Sequence, residues 1–305
     1  MNRKTKKMLV RITTILFMTV LVLFLKQLNV DSDEDITTAT TNSDEVIEVH
    51  FIDVGQGDAI LIETADSAML IDAGENIEGS VVVDYLKSQG ITKLNYVIGT
   101  HPHVDHIGGL DTVINSFSVD KVILSDSTHT TNTFEDLLNA IESNQLTITK
   151  AVVGNKYLLG PASFIILAPS STDYNDLNDS SVVIKLTYGD TSFLLTGDAG
   201  TLSENEMLQS SFNLTADVIK LGHHGSYDST SIEFLEAVNP TYAVFSVGAD
   251  NEYGHPHFET LRKMINYNIL TYRTDKQGSI VFTSNGKTIS VNQNNYEITE
   301  GDLKY

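Results

Sequence analysis

Ten residues constrain this chain more than any other stretch: Thr100-His101-Pro102-His103-Val104-Asp105-His106-Ile107-Gly108-Gly109. They follow directly on Asn95–Gly99, an apolar run that reads as a buried strand. Three imidazoles and a carboxylate within six residues crowd like-charged groups unless a cation holds them. Neutral imidazole and carboxylate are ligands for zinc, manganese and iron. In an extended turn His101 and His103 point the same way. Asp105 and His106 come next, at the mouth of a helix expected near Ile107. One loop can therefore offer two imidazoles to one metal, and a carboxylate plus an imidazole to a neighbour. Seven of the nine histidines fall in three short segments, the other two being His223-His224 and His255/His257. His50 and His129 stand apart and read as structural or surface residues.

From Val46 onward short apolar runs alternate with turns and amphipathic stretches. Val46–Val54, Ala59–Glu63 and Ala68–Asp72 read as consecutive strands, and Val81–Lys87 as a helix stopping near Gly90. Strands and helices then alternate, and Ile280–Thr283 with Thr288–Val291 reads as a closing hairpin. The pattern predicts one mixed α/β domain over 46–293 and a polar tail over 294–305. Residues 1–30 predict a membrane signal anchor. Six basic residues there accompany no acid, and Ile12–Leu25 carries only threonine as a polar residue. The basic flank precedes the apolar run, which puts 31–305 outside the cell membrane as a single-pass protein. Secretion after signal cleavage is the alternative, because the pure apolar run is shorter than the ~20 residues a bilayer asks for. Residues 31–45 read as an acidic disordered linker.

The chain lacks cysteine, which excludes disulfides, thiolate ligands and a cysteine nucleophile. Residues 31–305 hold 13 basic against 40 acidic residues, a net of −27. A body that acidic repels polyanions at long range, which argues against a passive nucleic-acid binder held by basic patches. An enzyme that meets phosphate through bound metal ions remains compatible with it.

The spacing HxHxDH over His101–His106 resembles the signature of the metallo-β-lactamase superfamily. The resemblance implies a four-layer αββα sandwich with a dinuclear site of two divalent ions, Zn or Mn, at the strand ends. It implies that Asp72 orients the loop, that Asp198 in Leu194-Leu195-Thr196-Gly197-Asp198 bridges the metals, and that His224 is the late ligand with His223 facing substrate. The implied metal set is thus His101, His103, Asp105, His106, Asp198 and His224. Many members supply a further histidine, but none lies between His129 and His223 here. The equivalent region, Asn178-Asp179-Ser180-Ser181, offers Asp179 or Asn178 instead, and an oxygen-richer shell makes manganese plausible. This departure, with Asp53-Val54-Gly55-Gln56-Gly57-Asp58, His223-His224-Gly225-Ser226 and Tyr253-Gly254-His255-Pro256-His257, resembles the branch formed by the extracellular hydrolase domain of ComEC, the competence DNA-uptake channel.

The resemblance implies a metal-dependent hydrolase, with a phosphodiester as the favoured substrate class and nucleic acid first within it. Asp105, His223 and His255 are the expected catalytic residues, the two histidines donating to an oxyanion or phosphate. A teichoic-acid or phosphorylcholine ester, a lactone, and a non-catalytic surface binding domain are the alternatives. The glycines of Asp53–Asp58 either let backbone approach a phosphate or the metal loop, or make a tight turn between two strands.

Overall fold

The computed structural model describes residues 45–303. The expected anchor over 1–30, and the linker over 31–45 except its last residue, lie outside the described residues. Among the described residues no helix is long and apolar enough to cross a membrane.

Fifteen strands form two sheets among the described residues. They run β1 Ile47–Phe51, β2 Ile60–Glu63, β3 Ala68–Ile71, β4 Lys93–Gly99, β5 Ser118–Leu124, β6 Ile148–Lys150, β7 Lys156–Leu159 and β8 Ala162–Ala168. The rest are β9 Val183–Tyr188, β10 Thr191–Leu195, β11 Val218–Lys220, β12 Tyr242–Phe245, β13 Leu270–Arg273, β14 Ile280–Ser284 and β15 Ile289–Val291. The first sheet has the order β15-β14-β1-β2-β3-β4-β5-β6 and the second β13-β12-β11-β10-β9-β8-β7. Each sheet is antiparallel on one side and parallel on the other, the parallel sets being β3-β4-β5-β6 and β10-β11-β12-β13.

Side chains alternate along the strands, so each sheet buries both faces. Val49, Phe51, Ile62 and Ile71 of the first sheet meet Phe164, Ile184, Phe193 and Val244 of the second in one apolar layer. The opposite face of the first sheet, with Leu61, Leu70 and Val97, packs against Val82 and Leu86, Val113 and Leu137 of three helices. The far face of the second sheet is covered by Met207, Phe234, Leu235, Leu261 and Met264. The result is helix, sheet, sheet, helix: the four-layer αββα architecture. Parallel strands all point their carboxyl ends one way, and loops leaving those ends share a rim where sites form.

Three details depart from the sequence reading. The helix expected near Ile107 begins at Val104, with His103 as its N-cap, so Asp105 and His106 lie inside its first turn. Strand β7 gave no periodic signal, because it is a four-residue edge strand with Leu158 turned to solvent. The described part of the polar tail, 294–303, packs back on the domain: Tyr296 N donates to Thr271 O at 2.7 Å, and Arg273 Nη1 pairs with Asp302 Oδ1 at 3.1 Å.

Phe282 of β14 is the clearest staple between the sheets. Its ring lies 5.8 Å from Phe51 in its own sheet, and 5.7 and 5.2 Å from Tyr242 and Tyr272 in the other. Phe282→Ala should cost about 3–5 kcal/mol in chemical denaturation, the cost of deleting a fully buried ring. A cost below ~1 kcal/mol would show that the layer refills without it.

Candidate metal centre

The site begins with Asp72, one residue past β3. Its backbone is left-handed (φ 56), an uncommon conformation for a residue with a side chain. Its carboxylate accepts from Thr100 N at 2.8 Å and from Thr100 Oγ1 at 2.6 Å, which ties the end of β3 to the start of the histidine loop. The same carboxylate meets His106 Nδ1 at 2.8 Å. That contact turns His106 Nε2 toward Asp198 Oδ2 at 3.2 Å and Asp105 Oδ2 at 3.8 Å. From the second sheet comes His224, whose Nδ1 donates to Ser246 O at 2.8 Å. Its Nε2 then faces Asp105 Oδ2 at 3.2 Å and Asp198 Oδ2 at 3.3 Å. Asp105, His106, Asp198 and His224 thus each bring one donor atom within 4.8 Å of the others. Orientation of a ring by a bond on its other nitrogen is how ligating histidines are held. His223 and His224 are both left-handed (φ 48 and 53), which lets adjacent imidazoles serve different places.

Beside this group, His101 Nε2 lies 4.0 Å from Asp198 Oδ2 and 3.0 Å from His103 Nδ1. Asp198 Oδ2 thus lies within 4.0 Å of ring nitrogens of His101, His106 and His224 alike. The Asp198 backbone N is held by Ser181 Oγ at 3.0 Å.

Two residues at the base of the site carried no functional assignment from sequence. Lys220 ends β11 fully buried; its Nζ contacts Asp58 Oδ2 at 2.7 Å and Asp198 Oδ1 at 3.5 Å, and donates to Gly197 O at 2.8 Å. Asp58 is equally buried, and its backbone N donates to Asp105 O at 3.1 Å. The available signal was a lysine flanked by Val218, Ile219 and Leu221, just before the paired histidines. Gly57 (φ +132) packs so tightly on the Asp105 backbone that an added Cβ would collide with the Asp105 carbonyl. The Asp53–Asp58 motif does both things read for it: it turns the chain between antiparallel β1 and β2, and its backbone approaches the metal loop.

Burial and charge compete throughout. Burial opposes the charged form of His106, but Asp198, Asp105 and Asp72 outweigh it and hold the ring well above the ordinary histidine range. His224 is likewise raised, against burial, by Asp198 and by its bonds to Asp105, Asp198 and Asp58. Asp198 is pulled well below the carboxylate range, as His106, His224 and Lys220 overcome its burial. His101 goes the other way, lowered by burial and by the charge on His106. A cation fits this set. His106 Nε2 is buried without a hydrogen-bond partner of good geometry and is aimed between carboxylates. Imidazole nitrogen and carboxylate oxygen are a zinc or manganese donor set.

Over the cluster opens a cavity of about 340 Å³, lined by His103, Asp105, Asp198, His223, His224 and His255 among others. His223 Nδ1 meets Asp228 Oδ1 at 3.2 Å, and its Nε2 stands 3.9 Å from Asp198 Oδ2, outside the tight cluster. His255 has a buried Nδ1 without a hydrogen-bond partner, and burial plus the charges of His223 and His224 push it down to about 3. The ring is therefore neutral at pH 7. Asp179 does not join the cluster. Its Oδ1 accepts from Ser203 N at 3.2 Å, because the 3-10 turn Leu177–Ser180 rotates it toward the helix Thr201–Gln209. Its neighbour Asn178 lines the cavity instead, with Oδ1 buried and without a hydrogen-bond partner. His129, read from sequence as structural or surface, also lines the cavity, 6.4 Å ring to ring from His103.

Comparison with known proteins gives a consistent answer. ComE operon protein 3 of Bacillus subtilis (strain 168) is 30% identical over 253 residues, covering 77% of this chain and 33% of that protein. Competence protein ComA of Neisseria gonorrhoeae is 29% identical over 232 residues, covering 75% and 31%. The chain thus spans about a third of the length of the curated relatives it matches. Among solved structures, the metallo-beta-lactamase fold protein YhfI from Bacillus subtilis superposes with a TM-score of 0.54 at 14% identity, over 79% of this chain and 100% of that one. Residues 52–249 match the metallo-beta-lactamase superfamily, so the chain belongs to that family and is similar to its competence-protein branch.

Proposed function

We propose that this chain is a membrane-anchored, extracytoplasmic dinuclear-metal hydrolase acting on phosphodiesters, with nucleic acid the first substrate to test. The observation that carries the reading is the buried Asp105–His106–Asp198–His224 cluster at the base of an open cavity, with His101, 4.0 Å from Asp198, and His103 beside it. His101, His103 and Asp198 would hold one divalent ion, and Asp105, His106, His224 and the shared Asp198 the other. Asn178, whose unpartnered Oδ1 belongs to a cavity-lining residue, would be the candidate to add an oxygen to the first set, since Asp179 Oδ1 is taken by Ser203 N. Such a pair supplies positive charge and a water acidified enough to attack at neutral pH.

The chain's own residues do the remainder. Asp72 and the Ser246 carbonyl hold the two imidazoles in one orientation. Lys220 neutralises the buried Asp58 and the inner oxygen Oδ1 of Asp198, leaving Asp198 Oδ2 for the cavity. His255, neutral at pH 7, and His223 stand over the cavity, where they can donate to phosphate oxygens as charge develops. The donor set favours a hard, anionic substrate. The similarity to competence proteins directs the choice toward nucleic acid. The basic flank before the apolar run at Ile12–Leu25 supports a domain outside the membrane.

Protein purified without chelator should carry at least two equivalents of divalent transition metal by elemental analysis, and Asp198→Ala should lower that content. Wild-type protein that takes up neither zinc nor manganese overturns the dinuclear reading.

Hydrolysis of bis(p-nitrophenyl) phosphate and of single- and double-stranded DNA should proceed with manganese at least as effective as zinc. His255→Ala should lower kcat by about 10²–10³-fold, the loss seen for one oxyanion donor, with metal content unchanged. Asp105→Ala should abolish turnover while the far-UV spectrum stays native. Activity on a lactone with none on any phosphodiester would change the substrate class. Fully metallated protein inert on all of them would favour a binding domain.

Protease added to intact spheroplasts should remove the domain after the linker, as detected by antibody against the folded part. Full protection would place the domain in the cytoplasm.

A further inference from the structure

The outer face of the first sheet holds a second cluster, unrelated to the cavity. Glu48 of β1 lies directly opposite Glu63 of β2 in the antiparallel ladder. Like charges directly opposed across two strands destabilise the pair. His50, two residues along β1, falls on the same face as Glu48 and is 1% exposed. Its Nε2 sits 3.2 Å from Glu63 Oε1 and 3.6 Å from Glu48 Oε2, without a hydrogen-bond partner of good geometry. Its Nδ1 is engaged by Tyr85 Oη at 3.0 Å, from the helix Gly79–Ser88. The ring is thus pinned on one nitrogen and aimed with the other between two carboxylates, the posture of a ligating histidine. No lysine or arginine pairs with Glu48 or Glu63 among the described residues.

A protonated imidazole would offset one of the two negative charges and could direct its single Nε2 proton at only one carboxylate. A divalent cation balances both. One imidazole nitrogen and two carboxylate oxygens, all within 4.8 Å of one another, make a three-ligand set, and the partly exposed Glu48 leaves a side open to water. That composition suits zinc with a solvent ligand. The cluster lies at the opposite end of the first sheet from the metal centre: Glu63 pairs with Ala68, the first residue of β3, whereas Asp72 follows its last.

We infer that Glu48, His50 and Glu63 form a separate zinc-type cation site that clamps β1 to β2 and, through Tyr85, to the helix above them. The inference stands independently of the substrate and of the number of ions in the metal centre. Its role is structural, since the open cavity lies at the other end of the sheet.

The test uses the full chain, stripped by chelator and titrated with zinc while bound metal is counted. Glu63→Gln keeps side-chain size and removes one ligand charge; His50→Gln removes the nitrogen. Each should take up one equivalent less than wild type, whatever the wild-type total, while retaining a native far-UV spectrum. Zinc should also raise the Tm of Asp198→Ala protein, and that rise should vanish when Glu63→Gln is added. Equal zinc uptake by wild type and a folded Glu63→Gln protein overturns the site, and Glu63→Gln decides alone if His50→Gln does not fold. An unchanged zinc response in the Asp198→Ala/Glu63→Gln double variant overturns it as well.

Discussion

Negative charge gathered in a dry place is the constraint around which this molecule is arranged. Asp58, Asp72 and Asp198 are all buried, and Asp105 is largely so. Isolated carboxylates in such surroundings would not stay ionised. Each here is answered by a particular cation or donor: Lys220 for Asp58, Thr100 and His106 for Asp72, and His106, His224 and Lys220 for Asp198. The partners arrive from both sheets, so the ionic cluster can form only when the two parallel strand sets end at the same rim. Geometry at the site and the docking of the sheets are therefore one requirement. The link is direct in the backbone too, where Val182 N, just before β9 of the second sheet, donates to Thr100 O at 2.9 Å.

Lys220 gives this arrangement an asymmetry. It closes the inner side of the carboxylates permanently, while the cavity side is left to imidazoles and to whatever occupies the site. A buried lysine is costly unless fully paired, and this one has two carboxylates and a carbonyl. Truncating it would leave Asp58 buried with only the more distant His224 and His106, at 3.5 and 3.9 Å, beside its carboxylate, a loss of a different kind from removing a donor that faces the cavity.

What could be read from the sequence was what is local. His101, His103, Asp105 and His106 lie in one short loop, so their spacing carried their convergence, whereas Asp72 and Asp198, carboxylates at strand ends, were legible only through the family resemblance. The choice between His223 and His224 depended on two successive left-handed residues that no composition rule predicts. Asp179 and Asn178 were separable only by the rotation of a 3-10 turn. Asp58 and Lys220 lie 162 positions apart in number and meet only in the folded chain, so neither signalled the other. His129 sits on a loop that the strand pattern left unplaced. A mixed α/β domain followed from the alternation of strands and helices and the four layers from the family resemblance, whereas β7, too short and too exposed to alternate, followed from neither.

The pairing of β1 with β14 bears on how the chain must be made. Ile47 lies opposite Ser284, and Phe51 opposite Ile280, so the domain's first strand has one of its last as a neighbour. During synthesis from the N-terminus, that side of β1 stays without its partner until nearly the whole domain has emerged. Contacts of such sequence separation slow folding and prolong the exposure of an unpaired apolar edge. A truncation that stopped short of Ile280 would leave that edge open for good. Such a product would retain every residue of the HxHxDH loop and of the His223-His224 pair, yet be prone to add strands from its neighbours instead of closing its own sheet.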